Sequence, residues 1–189
     1  MKEIVRPAVI LLIITAVAAA LLGAVESITA EPIALANEKT QNEAMQAALP
    51  AASSFEDVYD ASTAAEENKL DGTISLIKEG LDESGATVGY VIVTNPGAFG
   101  GSVPTTVGIG MDGVITGISV TTPSETPGLG AKAAEPEFQA QFAGMSGTLA
   151  VSKDGGQVQA ITAATITSRA VVTGVNEATT WFAENGGAN

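Results

Sequence analysis

The sequence predicts an α+β protein: a single N-terminal transmembrane helix followed by an extracytoplasmic domain with a twisted, mainly antiparallel sheet and flanking helices. Three observations carry this. The run from Ala8 to Val25 contains no charged residue. Four segments between residues 73 and 122 are rich in β-branched residues and bounded by Gly, Pro, Asn and Asp. From Thr167 or Ser168 to about Glu184, Val171, Val172, Val175 and Ala178 fall at the spacing of one helix face.

The apolar run comes first. At ~1.5 Å per residue it spans roughly 27 Å, close to the ~30 Å hydrocarbon core of a bilayer. Lys2 and Arg6 precede it and Glu26 and Glu31 follow it. The positive-inside rule then puts the N-terminus in the cytoplasm and the rest outside. The rival reading is a cleaved signal peptide. The run is longer than a signal core, and Ile28-Thr29-Ala30 is a poor cleavage site because of Ile28. A core helix of amphipathic kind would show a polar face, and none exists. The expected division is a stub and transmembrane helix over 1–27, a helical linker over 28–70 and a folded domain over 71–189. Within the linker, Asn37–Leu49 reads as helix and 55–70 as acidic and partly helical.

Strands are expected at 73–79, 87–94, 103–111 and 114–122. Asp112-Gly113 closes a hairpin between the last two, since Gly supplies the positive φ that such turns require. Residues 132–143, with Phe138 and Phe142 four apart, read as a short helix, and 148–152 as a short strand. Ser168 is the expected N-cap of the closing helix. No internal repeat is present.

Composition excludes several chemistries. There is no Cys and no His, so thiol nucleophiles, imidazole bases, zinc fingers and Cys-ligated clusters are ruled out. A formal net charge of -13 and an aromatic content of 4% speak against nucleic acid.

Three stretches remain as candidate sites. Thr162, Ala163, Ala164, Thr165, Ile166, Thr167 and Ser168 place hydroxyls just before a helix N-terminus. Backbone N–H groups and the helix dipole there favour an anion such as phosphate. The same hydroxyls equally suit simple helix capping. Ser124 to Lys132 combine Pro127 with Gly128 and Gly130 directly after a strand. That makes either a stiff loop whose backbone a ligand can approach closely or an ordinary surface turn. Glu125 suits hydrogen bonding within that loop. Residues 95–101 carry Gly97, Gly100, Gly101 and Phe99. They form either a flexible hairpin loop or one wall of a flat pocket.

These residues, taken in order, resemble the FMN-binding domain family, in particular the G subunit of Rnf ion-translocating electron-transport complexes. They are also similar to the C subunit of the sodium-pumping NADH:quinone oxidoreductase. The resemblance runs from about Gly89 to Gly174, plus the N-terminal anchor. Its most specific part is Glu125-Thr126-Pro127-Gly128-Leu129-Gly130, followed by Thr162-Ala163-Ala164-Thr165. The resemblance implies FMN carried covalently by Thr165 through a phosphoester bond and attached by a dedicated flavin transferase. It implies that Leu129 and its loop pack along the flavin ring, and that Ser168 and nearby amides serve the phosphate. The chain departs from the family at Ala163, where Gly is usual, and at Gln159, where the transferase pattern has Asp.

The implied function is an electron-transfer subunit of a membrane-bound ferredoxin:NAD⁺ oxidoreductase complex, coupled to Na⁺ or H⁺ translocation, with the other subunits as partners. No autonomous catalysis is expected. The alternatives are the flavin subunit of a sodium-pumping NADH:quinone oxidoreductase or another anchored extracytoplasmic flavin reductase. A non-redox scaffold, in which the hydroxyls only cap, predicts a colourless protein.

Overall fold

The computed structural model describes residues 2–62, 70, 72–122 and 124–186. The chain divides into two units, Met1–Asn42 and Glu43–Asn189.

The first unit is most of helix α1, Lys2–Ala48. Leu12 and Leu22 are 68% and 70% exposed, and Leu11, Ile14 and Leu21 are similarly bare. A helix apolar all round and unburied needs an apolar solvent. This one is long and apolar enough to cross a membrane. Its hydroxyls suit that setting: Thr15 donates to the Leu11 carbonyl at 3.0 Å and Thr29 to the Val25 carbonyl at 2.9 Å.

The second unit is built on a five-stranded antiparallel meander in the order β1-β2-β3-β4-β5. The strands are Ser54–Asp60, Ile74–Leu81, Thr87–Thr94, Thr105–Gly110 and Ile115–Val120. Helix α2 is Pro136–Gln139 and helix α3 is Thr165–Asn185. The sheet is covered on both faces, and the period-two alternation of side chains decides which residue goes where. Ile92, Val107 and Ile109 pack with Val171, Val172 and Val175 of α3. Val91 points the other way, into a cluster with Met45, Leu49 and Ala52. All six residues of β4 are therefore buried. Each fully buried Val or Ile contributes about 1.5–3 kcal/mol.

Gly108 shows why a central strand tolerates a glycine here. A Cβ at that position would lie 2.1 Å from the Ala48 carbonyl oxygen. The backbone at Ala47 and Ala48 thus lies directly on β4 and β5, and Thr116 of β5 donates its hydroxyl to the Ala48 carbonyl at 2.5 Å.

The hairpin expected at Asp112-Gly113 is present. Gly113 has φ 76°, and Val114 donates its N–H to the Asp112 carboxylate at 3.1 Å. Four expectations are corrected. Residues 54–60 form edge strand β1 rather than helix: Phe55 and Tyr59 turn toward the core clusters and the segment pairs with β2. Residues 63–69 of the same acidic stretch lie outside the described residues. The helix expected over 132–143 is split. A 3-10 turn covers Gly130–Ala134, and Pro136 restarts the chain as N1 of α2, because proline has no N–H to continue the helix before it. Phe138 and Phe142 still meet, edge to face, with centroids 5.6 Å apart. The strand expected at 148–152 is not formed: residues 148–150 have no regular structure and are pinned by Asn176 of α3, and Ser152 already begins a 3-10 turn. The Asn176 amide accepts from the Leu149 N–H at 2.8 Å and donates to its carbonyl at 2.9 Å. Strand-like pairing is confined to the Val151–Val158 bridge. Finally, α3 begins at Thr165, with Ala164 rather than Ser168 as N-cap.

Candidate functional site

The start of α3 faces a cleft of about 360 Å³. Its floor is Ala163, Ala164, Thr165, Ile166 and Thr167; one wall is Glu125, Thr126, Leu129 and Gly130; Phe99 of a third loop also lines it. Three loops that are far apart in sequence thus converge there.

Glu125 joins them. The residue is only 9% exposed. Oε1 accepts from the Gly100 N–H at 2.8 Å and Oε2 accepts from the Thr167 hydroxyl at 2.8 Å. One buried side chain therefore ties the 95–103 loop, its own loop and α3 together, with both oxygens partnered as burial demands. Gly130 makes room for it, since a Cβ there would lie 1.8 Å from Oε2.

The 95–103 loop is itself a tight hairpin, closed by the Ala98 N–H on the Gly101 carbonyl at 2.6 Å and the Val103 N–H on the Pro96 carbonyl at 2.9 Å. It holds Phe99 at its tip, 74% exposed. Leu129 and Ile166, 40% and 54% exposed, complete an apolar rim.

The floor has unusual backbone. Ala163 has φ 63°, in the left-handed region that L-residues enter at a cost of about 1–2 kcal/mol. Glycine removes that cost, which is a physical reason for the Gly of the resembling motif. The turn ends at Ala164, and no side chain caps α3. The first N–H groups of a helix have no intrahelical partner. The residues that bear them here, Thr165, Ile166 and Thr167, line the cleft.

Ser168 is spent elsewhere. It is fully buried, accepts from the Ile161 N–H at 2.9 Å and donates to the Ala164 carbonyl at 3.0 Å. It fixes the turn that presents Thr165. Thr162 is exposed and borders a neighbouring hollow with Lys132 and Glu135. Pro127 and Gly128 are exposed and do not line the cleft.

Sequence reasoning missed Lys153. Its ammonium donates to the Thr165 hydroxyl at 2.9 Å. It sits on a 3-10 turn, Ser152–Asp154, held to α3 by a bidentate pair between Asp154 and Arg169 at 2.7 and 2.6 Å. The Arg169 hydrogen bonds hold the Asp154 carboxyl below its ordinary value. A lone Lys twelve residues upstream carried no signal by spacing. Among the described residues no His, Cys, Asp and Glu cluster suited to a metal exists.

The profile of the FMN-binding domain family matches residues 98–180. The chain is 41% identical over 179 residues to the G subunit of the ion-translocating oxidoreductase complex of Methanosarcina acetivorans, covering 94% of this chain and 93% of that protein. It is 39% identical over 186 residues to the G subunit of the Na⁺-translocating ferredoxin:NAD⁺ oxidoreductase complex of Acetobacterium woodii, covering 93% and 89%. The chain belongs to the G-subunit family of ion-translocating oxidoreductase complexes. The crystal structure of Shewanella oneidensis NqrC shares the fold, with TM-score 0.54 and 19% identity over 74% of this chain and 91% of that one.

The residues of this G-subunit cleft fit an FMN-sized flavin. The volume lies within the ~300–1,000 Å³ of small-molecule sites. Phe99 and Leu129 offer apolar surface for a ring system. At the other end a hydroxyl, an uncapped helix start and an ammonium suit a phosphate.

Proposed function

We propose that this chain is the flavin-carrying electron-transfer subunit of a membrane-bound Rnf-type ferredoxin:NAD⁺ oxidoreductase complex, working in electron flow coupled to Na⁺ or H⁺ translocation. The observation that carries the reading is the Thr165 hydroxyl, set in the first turn of an uncapped helix inside an apolar-rimmed cleft.

FMN would be held there through a phosphoester bond to Thr165: a flavin transferase would break the pyrophosphate of a flavin dinucleotide, join the FMN phosphate to the Thr165 oxygen, release the nucleoside monophosphate and take up the hydroxyl proton. When bound, the flavin supplies reversible electron uptake. The chain's residues do the rest. Thr165 needs no neighbouring base, because the transferase supplies the chemistry of attachment. Ala163 and Ala164 keep the turn uncluttered. The N–H groups at the start of α3 face the phosphate, and the dipole of α3 favours its charge. Leu129 and Phe99 cover the ring, and Glu125 locks their two loops to the helix that carries Thr165.

Helix α1 anchors the subunit as a single pass, N-terminus inside by the charges of Lys2 and Arg6, with the flavin domain outside the cytoplasm. A lone span without internal charge offers no ion path, so translocation belongs to the other subunits.

The test is genetic and biochemical together. Membranes from cells lacking this chain are assayed for ferredoxin-dependent NAD⁺ reduction. Wild-type chain restores it, and Thr165→Ala, inserted in equal amount, does not. Restoration by Thr165→Ala would refute the role of Thr165. Full activity without the chain would refute the electron-transfer role.

A further inference from the structure

The protein carries a net charge of -13, yet its proposed cofactor is anionic at the phosphate. Some local cation must offset that. Arg169 lies in the first turns of α3 but is already held bidentate by Asp154. Among the described residues no carboxylate pairs with Lys153, whose ammonium lies 2.9 Å from the Thr165 hydroxyl oxygen. The turn that bears it is rigid. Gly155 takes φ 85°, the Gly156 N–H bonds the Val151 carbonyl at 3.1 Å, and the Asp154–Arg169 fork clamps the turn to α3.

We infer that Lys153 is the charge partner of the phosphate that Thr165 carries, a cofactor-binding residue held in place by the Asp154–Arg169 pair. This rests on the reading of Thr165 given above. An ammonium hydrogen-bonded to the attachment oxygen is within reach of a phosphate on that oxygen, and charge-assisted bonds to phosphate are the stronger kind. The pair is exposed, so its effect is modest and weakens with salt.

The experiment uses the full chain in detergent, produced with or without a flavin transferase. Wild type, Lys153→Gln, Lys153→Arg, Thr165→Ala and the Thr165→Ala/Lys153→Gln double variant are compared. Covalent flavin is read by in-gel fluorescence and thermal stability by melting. In the Thr165→Ala background, Lys153→Gln leaves the melting temperature unchanged. In the flavin-loaded background it lowers it by about 3 °C, and the loss shrinks in high salt. Lys153→Arg behaves as wild type. Failure of Lys153→Gln to load while Lys153→Arg loads also supports the proposal, with the charge required earlier. Equal melting of loaded wild type and loaded Lys153→Gln overturns it. So does an equal loss in loaded and unloaded backgrounds, which makes Lys153 a folding residue. Wild-type chain without covalent flavin defeats the Thr165 reading itself, and this inference with it.

Discussion

The Glu125 carboxylate accepts the hydroxyl of Thr167 at 2.8 Å, across 42 residues of sequence. Its other oxygen holds the Gly100 N–H. Removing the carboxylate leaves the buried Thr167 hydroxyl and the part-buried Gly100 N–H without their acceptor, and the desolvation of the former is not repaid. Glu125→Ala therefore lowers stability by about 2–3 kcal/mol in urea unfolding, and Glu125→Gln, which keeps an acceptor oxygen, by about 1 kcal/mol. Both loosen the loop that bears Phe99, so flavin fluorescence anisotropy falls in the order wild type, Gln, Ala.

Gly130→Ala tests the same junction from below. The added methyl would sit 1.8 Å from Oε2 and 2.8 Å from the Thr167 hydroxyl oxygen. The carboxylate must leave its place, and overpacking of this kind costs about 1–3 kcal/mol. Thermal melting falls accordingly, and a Glu125→Ala background hides most of the loss. Additive losses would show that the clash lies elsewhere.

Ala163→Gly goes the other way. The φ of 63° costs alanine about 1–2 kcal/mol, while glycine adds about 0.4–1 kcal/mol of unfolded-chain entropy. The net is a gain of up to about 1.5 kcal/mol, seen as a higher melting temperature. Ala163→Val, with a β-branch in the same backbone, melts lower than wild type.

The Asp154–Arg169 pair gives a pH signature. The Arg169 hydrogen bonds lower the Asp154 pKa from its ordinary 3.8. A depressed folded pKa means that stability from the pair is complete above the ordinary value. It is lost as the pH falls through the folded value, below 3.8. Near neutral pH the contribution is constant. Arg169→Gln removes this acid limb, so wild type and variant converge in melting temperature as the pH drops below that range. Parallel curves down to the acid end would contradict the assignment.

Much of this was legible in the chain. The anchor shows because a span must be apolar all round, and 8–25 is. The strands show because β-branched runs end at glycine and proline, and Asp112-Gly113 marks its own turn. Strand β1 did not show: Glu56, Asp57 and Asp60 give an acidic segment, and only pairing with β2 makes it a strand. The break before Pro136 did not show, because Phe138 and Phe142 fall at helical spacing across it. The start of α3 misled because hydroxyls normally cap helices, whereas here Ser168 braces the turn from inside and Ala164 leaves the helix end open. The Glu125 junction and Lys153 are long-range contacts, and nothing local in either segment announces them.

In the proposed function, Thr165 carries the flavin. Trypsin cuts after Lys153 and Arg169, so one peptide, Asp154–Arg169, contains Thr162, Thr165, Thr167 and Ser168 together. The chain is produced with its flavin transferase, denatured and digested, and that peptide is sequenced by mass spectrometry. The account predicts that it carries the mass of FMN and that fragment ions place the addition on Thr165. An unmodified peptide with the flavin released on denaturation, or an addition on Thr162, Thr167 or Ser168, would contradict it.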